Sequence, residues 1–67
     1  MKVMSSINNQ DLKMKAKQVY DLRLISSLAL DDGEPYDIYE YTDSDGKLNR
    51  LSNPEYYIKN NIFKQVD

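Results

Sequence analysis

The stretch DDGEPYDIYEYTDSDG, residues 31–46, decides the fold that this sequence predicts. An aspartate–glycine pair lies near each end, and a tyrosine-rich run lies between the two pairs. Glycine accepts a positive φ, aspartate bonds to its own backbone, and aromatic residues suit a pleated surface. We therefore predict a strand over Tyr36–Thr42 between two turns, with Pro35, which has no amide to donate, at its start. The flanking chain is expected to pair with this strand.

The segment before this strand alternates in hydropathy. From Leu12 to Leu30, eight of the ten even-numbered residues are apolar, against three of the nine odd-numbered ones. A period of two is typical of a half-buried strand. The pattern predicts a strand from about Val19 to Leu30, with Ser26-Ser27 as the place for a bend.

The first seventeen residues give a weaker signal. Residues 10–17 continue the alternation but are mostly good helix formers, without a β-branched residue. An extended continuation of the strand is favoured, and a short helix is the alternative. Residues 1–10 have no convincing period and end in Asn8-Asn9-Gln10, so we interpret them as a loose N-terminal lead-in.

After the turn at Asp43–Gly46, Lys47–Leu51 is predicted to form a third short strand. Pro54 then signals the start of a helix with Asn53 as its N-cap, because a residue before proline avoids the helical region. The alternative is Ser52 as N-cap of a capping box. An apolar stripe follows at helical spacing: Ile58, Ile62 and Val66, with Phe63 beside it. The predicted fold class is α+β, one small domain with an antiparallel three-stranded β-meander packed against a C-terminal helix.

Composition narrows the possible functions. The 67 residues include no Cys and no His, which excludes disulfides, Cys/His metal sites and thiol or imidazole catalysis. An EF-hand reading of Asp43–Gly46 fails, because it requires an acid at Tyr41 and a glutamate at Ser52. The carboxylates fall on predicted turn tips, where nothing would shift their pKa values for catalysis. We expect no cofactor and no enzymatic activity. The chain also lacks a membrane span and a signal-peptide core, so a cytoplasmic location is expected.

Charge is distributed unevenly along the chain. Residues 1–30 carry a net charge of +3, residues 31–46 carry −7, and residues 47–67 carry +2. Tyrosine is enriched at protein interfaces. We therefore predict that an acidic, tyrosine-bearing hairpin binds another protein, one with a basic surface, through Tyr36, Asp37, Tyr39, Glu40, Tyr41 and Asp43. The alternatives are that the acidic turns are merely solvated and that the rings fill a small core. Pairing of edge strands into a homodimer is also open.

A second hypothesis rests on basic residues. Lys13, Lys15 and Lys17 alternate, so an extended chain would present all three on one face, with Arg23 further along. Such a strand could follow a phosphate backbone in a small dimeric nucleic-acid-binding regulator. A solvated strand face that discourages edge aggregation is the favoured interpretation of the same lysines, so nucleic acid is the less favoured partner.

One order of features resembles a known family. Tyr20-Asp21, an apolar run, Asp31-Asp32-Gly33 and then Tyr39-Glu40-Tyr41 follow one another as similar features do in small phage-encoded inhibitors of uracil-DNA glycosylase. The resemblance covers residues 20–41, does not match closely in spacing, and does not continue after Gly46. It implies a mobile-element-encoded inhibitor of a nucleic-acid enzyme, acting by an acidic surface that imitates DNA.

Overall fold

A computed structural model describes residues 1–29 and 35–66 of the chain. They form two three-stranded antiparallel sheets and one short helix. The elements in chain order are β1 (Lys2–Ser5), β2 (Val19–Asp21), β3 (Arg23–Ala29), β4 (Pro35–Thr42), β5 (Leu48–Ser52), α1 (Pro54–Lys59) and β6 (Phe63–Gln65). The N-terminal sheet has the strand order β2-β1-β6, and the meander sheet has the order β3-β4-β5. The predicted meander is therefore confirmed as one of two sheets.

The predicted strand at Val19–Leu30 is confirmed from Val19 to Ala29, divided between the two sheets. The division falls at Leu22, which exchanges backbone hydrogen bonds with Met1 at 2.7 and 3.1 Å. Beyond Leu22 the chain leaves β1 and pairs with β4. The irregularity expected at Ser26-Ser27 lies slightly earlier, as a register shift between Leu24 and Ser26.

The expectation of a loose lead-in over residues 1–10 is wrong. Residues 2–5 form β1, the central strand of the N-terminal sheet, and Val3 and Ser5 are both 0% exposed. A four-residue strand is too short to show a clear alternation of apolar and polar residues, and one of its two buried residues, Ser5, is polar. The Ser5 hydroxyl can be buried because it donates a 2.6 Å hydrogen bond to the Ile7 carbonyl, which replaces its hydrogen bond with water.

The extended segment favoured over residues 10–17, and the alternative helix, are both wrong. These residues belong to a loop of turns that connects β1 to β2. Asn9 and Met14 exchange backbone hydrogen bonds of 2.8 and 2.9 Å, and the Asn9 side chain accepts the Leu12 amide at 3.0 Å. Lys13 and Lys17 have φ values of 56° and 65°, which no extended strand allows. Met14, only 2% exposed, anchors this loop in the core.

Helix α1 begins where the sequence predicts and ends much sooner. Asn53 occupies the N-cap position, although in a left-handed conformation with φ 51° and without a side-chain cap. The chain reverses at Asn61, whose φ is 62°, and enters β6. The predicted stripe therefore does not run along one helix. The ring of Tyr57 stacks on Phe63 of β6, with centroids 4.9 Å apart, and packing of the helix across one face of the meander is not confirmed. Over residues 1–29 and 35–66 no helix is long and apolar enough to cross a membrane, since α1 has only six residues.

The core lies where the two sheets meet. Its buried apolar side chains come from both sheets and from the β1–β2 loop: Val3, Met14, Tyr20, Leu22, Tyr41, Leu51 and Phe63. The rings of Tyr20 and Tyr41 pack edge to face, with their centroids 6.2 Å apart. Further along β3, Leu24 and Leu28 are 55% and 51% exposed. The core thus covers one part of the meander sheet and leaves the apolar side chains of β3 beyond Leu22 largely uncovered.

Candidate functional site

The acidic, tyrosine-bearing segment forms most of a β-hairpin made of β3 and β4, which we call the β3–β4 hairpin. Its strands pair from Arg23 opposite Glu40 to Ala29 opposite Pro35. Pro35 begins β4, as predicted, and β4 continues to Thr42. The turn predicted at Asp31-Asp32-Gly33 lies outside the described residues, as does the side chain of Tyr36.

Tyr41 belongs to the core. Its side chain is 0% exposed, and its hydroxyl donates a 2.5 Å hydrogen bond to the carbonyl of Leu12 in the β1–β2 loop. Burial raises the pKa of Tyr41 to about 12, with smaller contributions from Asp43, Tyr57 and Tyr20. The contacts of this ring are with the protein's own interior, and its hydroxyl ties the β1–β2 loop to β4.

Asp43 shapes the turn between β4 and β5. It is 7% exposed, and its carboxylate oxygen Oδ1 accepts the amides of Asp45 at 2.9 Å and Lys47 at 3.0 Å. Gly46 completes the turn with a φ of 78°. The reversal predicted over Asp43–Gly46 is confirmed. Asp43, like Tyr41, serves the fold and offers little side-chain surface to a partner.

The other two acidic positions of the candidate site interact with β3 and β5. Glu40 lies directly opposite both Arg23 and Arg50, and its carboxylate oxygens are 3.3 Å and 3.7 Å from their guanidinium nitrogens. Asp37 lies opposite Ser27 and accepts its hydroxyl at 2.6 Å. The charge of Glu40 is therefore compensated locally by two arginines, and Asp37 is engaged in a cross-strand hydrogen bond with Ser27.

Of the two predicted tyrosines whose side chains the structure describes, Tyr39 is the one that is partly exposed on the hairpin. It is half-buried, packs against the edge of the core, and lies opposite Leu24 of β3. Asp37, Tyr39 and Tyr41 alternate with Glu40 along β4, so the candidate residues do not share one face. The structure places the six on one strand and its turn, and it puts two of them inside the molecule.

Sequence reasoning missed the apolar surface of β3. Leu24, Ile25 and Leu28 are 55%, 44% and 51% exposed. The alternation suggested that the leucines share one buried face. The register shift after Leu24 instead puts Leu24 and Leu28 on opposite faces of the sheet, and neither is covered. A signal was present in the sequence: the run from Leu24 to Ala29 contains no charged residue, which is unusual for a strand at the edge of a sheet.

The basic residues of the second hypothesis are not arranged as it expected. Lys13, Lys15 and Lys17 are exposed, but they lie on a loop with two positive φ values and not along one strand face. Lys13 and Lys15 line an open groove between this loop and the β4–β5 turn. Arg23, on β3, is engaged by Glu40.

In the described part of the chain, no group of three or more acidic side chains is arranged to hold a metal ion. No protein-family model, no curated protein and no solved structure matches the chain.

Proposed function

We propose that this protein is a small non-enzymatic binding protein, which modulates or inhibits another protein by docking its β3–β4 hairpin against it. One observation carries the proposal: Leu24, Ile25 and Leu28 are about half exposed on a single seven-residue strand. Single exposed apolar residues are ordinary, whereas three of them within five residues leave both faces of one edge strand apolar, which suits a strand that a partner covers.

The neighbouring aromatic residue supports the same surface. Tyr39 lies directly across from Leu24, partly exposed, and presents a large rigid ring to whatever covers the leucine. Rings of this kind contribute much of the binding energy at protein interfaces because they bury large area at low entropic cost. A partner that covers Leu24 would therefore cover Tyr39 as well.

The net charge around the hairpin indicates that the partner is basic. From Arg23 to Gly46 the sequence carries seven carboxylates against one arginine, a net charge of −6. Such a field steers a basic partner and raises its association rate. DNA mimicry is the less favoured mode of binding, because Glu40 is held by two arginines and Asp43 is buried in its own turn.

A pair of matched variants tests the proposal. Leu28→Ser changes an exposed leucine of the hairpin, and Leu48→Ser changes a leucine that is 64% exposed on β5. Immobilised wild type and both variants are incubated with nuclease-treated lysate of the native host, and the retained proteins are identified by mass spectrometry. We expect one set of proteins to be retained by the wild type and by Leu48→Ser, and to be lost with Leu28→Ser.

Two results would contradict this proposal. Equal retention by both variants would remove the hairpin as the docking surface. Retention found only in a parallel lysate without nuclease treatment would indicate a nucleic-acid tether and favour the regulator that uses the loop lysines.

A further inference from the structure

The meander and N-terminal sheets have four edge strands, and β3 differs from the other three. Among the described residues, β2, β5 and β6 each pair on one side only, and each carries a charged residue, Asp21, Arg50 and Lys64 respectively. Charges on edge strands discourage pairing with another chain. In β3 only the first residue, Arg23, is charged, and the six that follow are neutral. It is also the longest of the four edges.

The backbone of β3 is suited to accept another strand. The register shift between Leu24 and Ser26 distorts the beginning of the strand, but Ser26 to Ala29 pair regularly with residues 38 to 35 of β4. The opposite edge of that regular run meets no strand among the described residues. In an antiparallel edge strand, every second residue directs its amide and carbonyl away from the sheet. These groups form a ready template for a further strand.

We propose that the β3 edge is the docking site for an extended, basic segment of the partner protein, which adds to the meander sheet as a fourth strand. This rests on the proposed function and names the way in which the hairpin binds. Backbone hydrogen bonds to the regular run of β3 hold the segment, and its apolar side chains cover Leu28. The net charge of −6 from Arg23 to Gly46 selects lysine and arginine on the incoming strand.

A partner fits this edge better than a second copy of the chain does. Two copies joined through β3 would bring two acidic hairpins together, each with a net charge of −4 from Arg23 to Thr42. The surface would also be small, because three half-exposed side chains fall far short of the roughly 800 Å² per subunit that a stable interface buries. A basic segment of a larger partner is attracted by the acidic hairpin, and the rest of that partner can add to the buried area.

Synthetic peptides of alternating lysine and valine, about twelve residues long and capped at both ends, are a direct probe of strand addition. Isothermal titration into the wild-type chain gives the Kd, and amide shifts in NMR spectra locate the site. We expect saturable binding, with the largest shifts in β3. A peptide N-methylated at its four central residues keeps its charge and side chains but cannot donate from either edge there, so its Kd should rise by at least about tenfold. Replacing lysine by glutamate throughout should abolish binding.

The other possible results would contradict strand addition at β3 by a partner segment. Equal affinity of the N-methylated peptide, or shifts confined to residues outside β3, would overturn strand addition. A dimer in sedimentation experiments on the wild type, lost with Leu28→Ser and kept with Leu48→Ser, would assign the edge to a second copy. The proposed function fails separately, since it depends on lysate retention by the same two variants and not on peptide hydrogen bonding.

Discussion

Raising the pH should destabilise the folded protein through Tyr41, and Tyr41→Phe should remove that sensitivity. An unperturbed tyrosine ionises near pH 10, while the folded protein holds the pKa of Tyr41 at about 12. Below pH 10 the residue is protonated in both states, so its contribution to stability is fully present. Between pH 10 and 12 the unfolded chain loses a proton that the folded chain retains. The resulting loss of stability is at most about 1.4 kcal/mol at pH 11.

The Phe variant gives the comparison its control, because every other titrating group is unchanged. Near neutral pH, Tyr41→Phe should be less stable by about 0.5–1.5 kcal/mol, since the hydrogen bond to the Leu12 carbonyl is lost. The side-chain amide of Asn49, 3.4 Å from the same oxygen, keeps this cost at the lower end. The gap between the two proteins should narrow above pH 10, and by pH 11 the Tyr41→Phe variant should be at least as stable as the wild type.

Urea denaturation followed by circular dichroism measures both proteins at a series of pH values. If the two curves of unfolding free energy stay parallel from neutral pH to about pH 11, Tyr41 ionises as freely in the folded chain as in the unfolded one. The burial of its ring, and with it the attachment of the β1–β2 loop to β4, would then be refuted.

Three further substitutions have defined outcomes in the same denaturation assay. Val3→Ala in β1 should cost about 1–3 kcal/mol because the side chain is fully buried, whereas Val19→Ala, 54% exposed on β2, should stay within about 0.5 kcal/mol; equal effects would contradict the central position of β1. Asp43→Ala should cost about 1–2 kcal/mol through the loss of two hydrogen bonds to turn amides, and Asp43→Asn, which keeps an acceptor oxygen, clearly less. Glu40→Gln should cost less than about 1 kcal/mol because both arginines that it pairs with are largely exposed, and a greater loss would show that the three charges act as a network.

Local chemistry in the sequence predicted much of the fold. Alternation identified the run that became β2 and β3, and turn residues placed β4, β5 and the reversal at Asp43–Gly46 correctly. Pro54 marked the start of the helix. These signals work because each depends on a few neighbouring residues and on backbone preferences that tertiary structure respects.

The features that sequence missed depend on distant contacts. Strand β1 is too short to show a period, and it forms because it lies between β2 and β6. The β1–β2 loop is held by Met14 in the core and by asparagine side chains, which propensity does not reveal.

The candidate site shows the same limit. Sequence located the hairpin but not which of its side chains face solvent. Tyr41 and Asp43 turned inward, while Leu24 and Leu28, expected to be covered, are exposed because the core does not extend along β3. Burial depends on where the second sheet ends, and periodicity carries no information about that.

Amide hydrogen exchange along β3, followed by NMR in the dilute protein without any partner, tests most directly whether this edge is open. From Ser26 to Ala29, amides directed at β4 should exchange slowly, and those directed away from the sheet should exchange at least about tenfold faster. The amides of Val3 and Met4 in the central strand β1 provide the protected reference. Uniformly slow exchange from Ser26 to Ala29 would show that the edge is already paired and would contradict a docking site at β3.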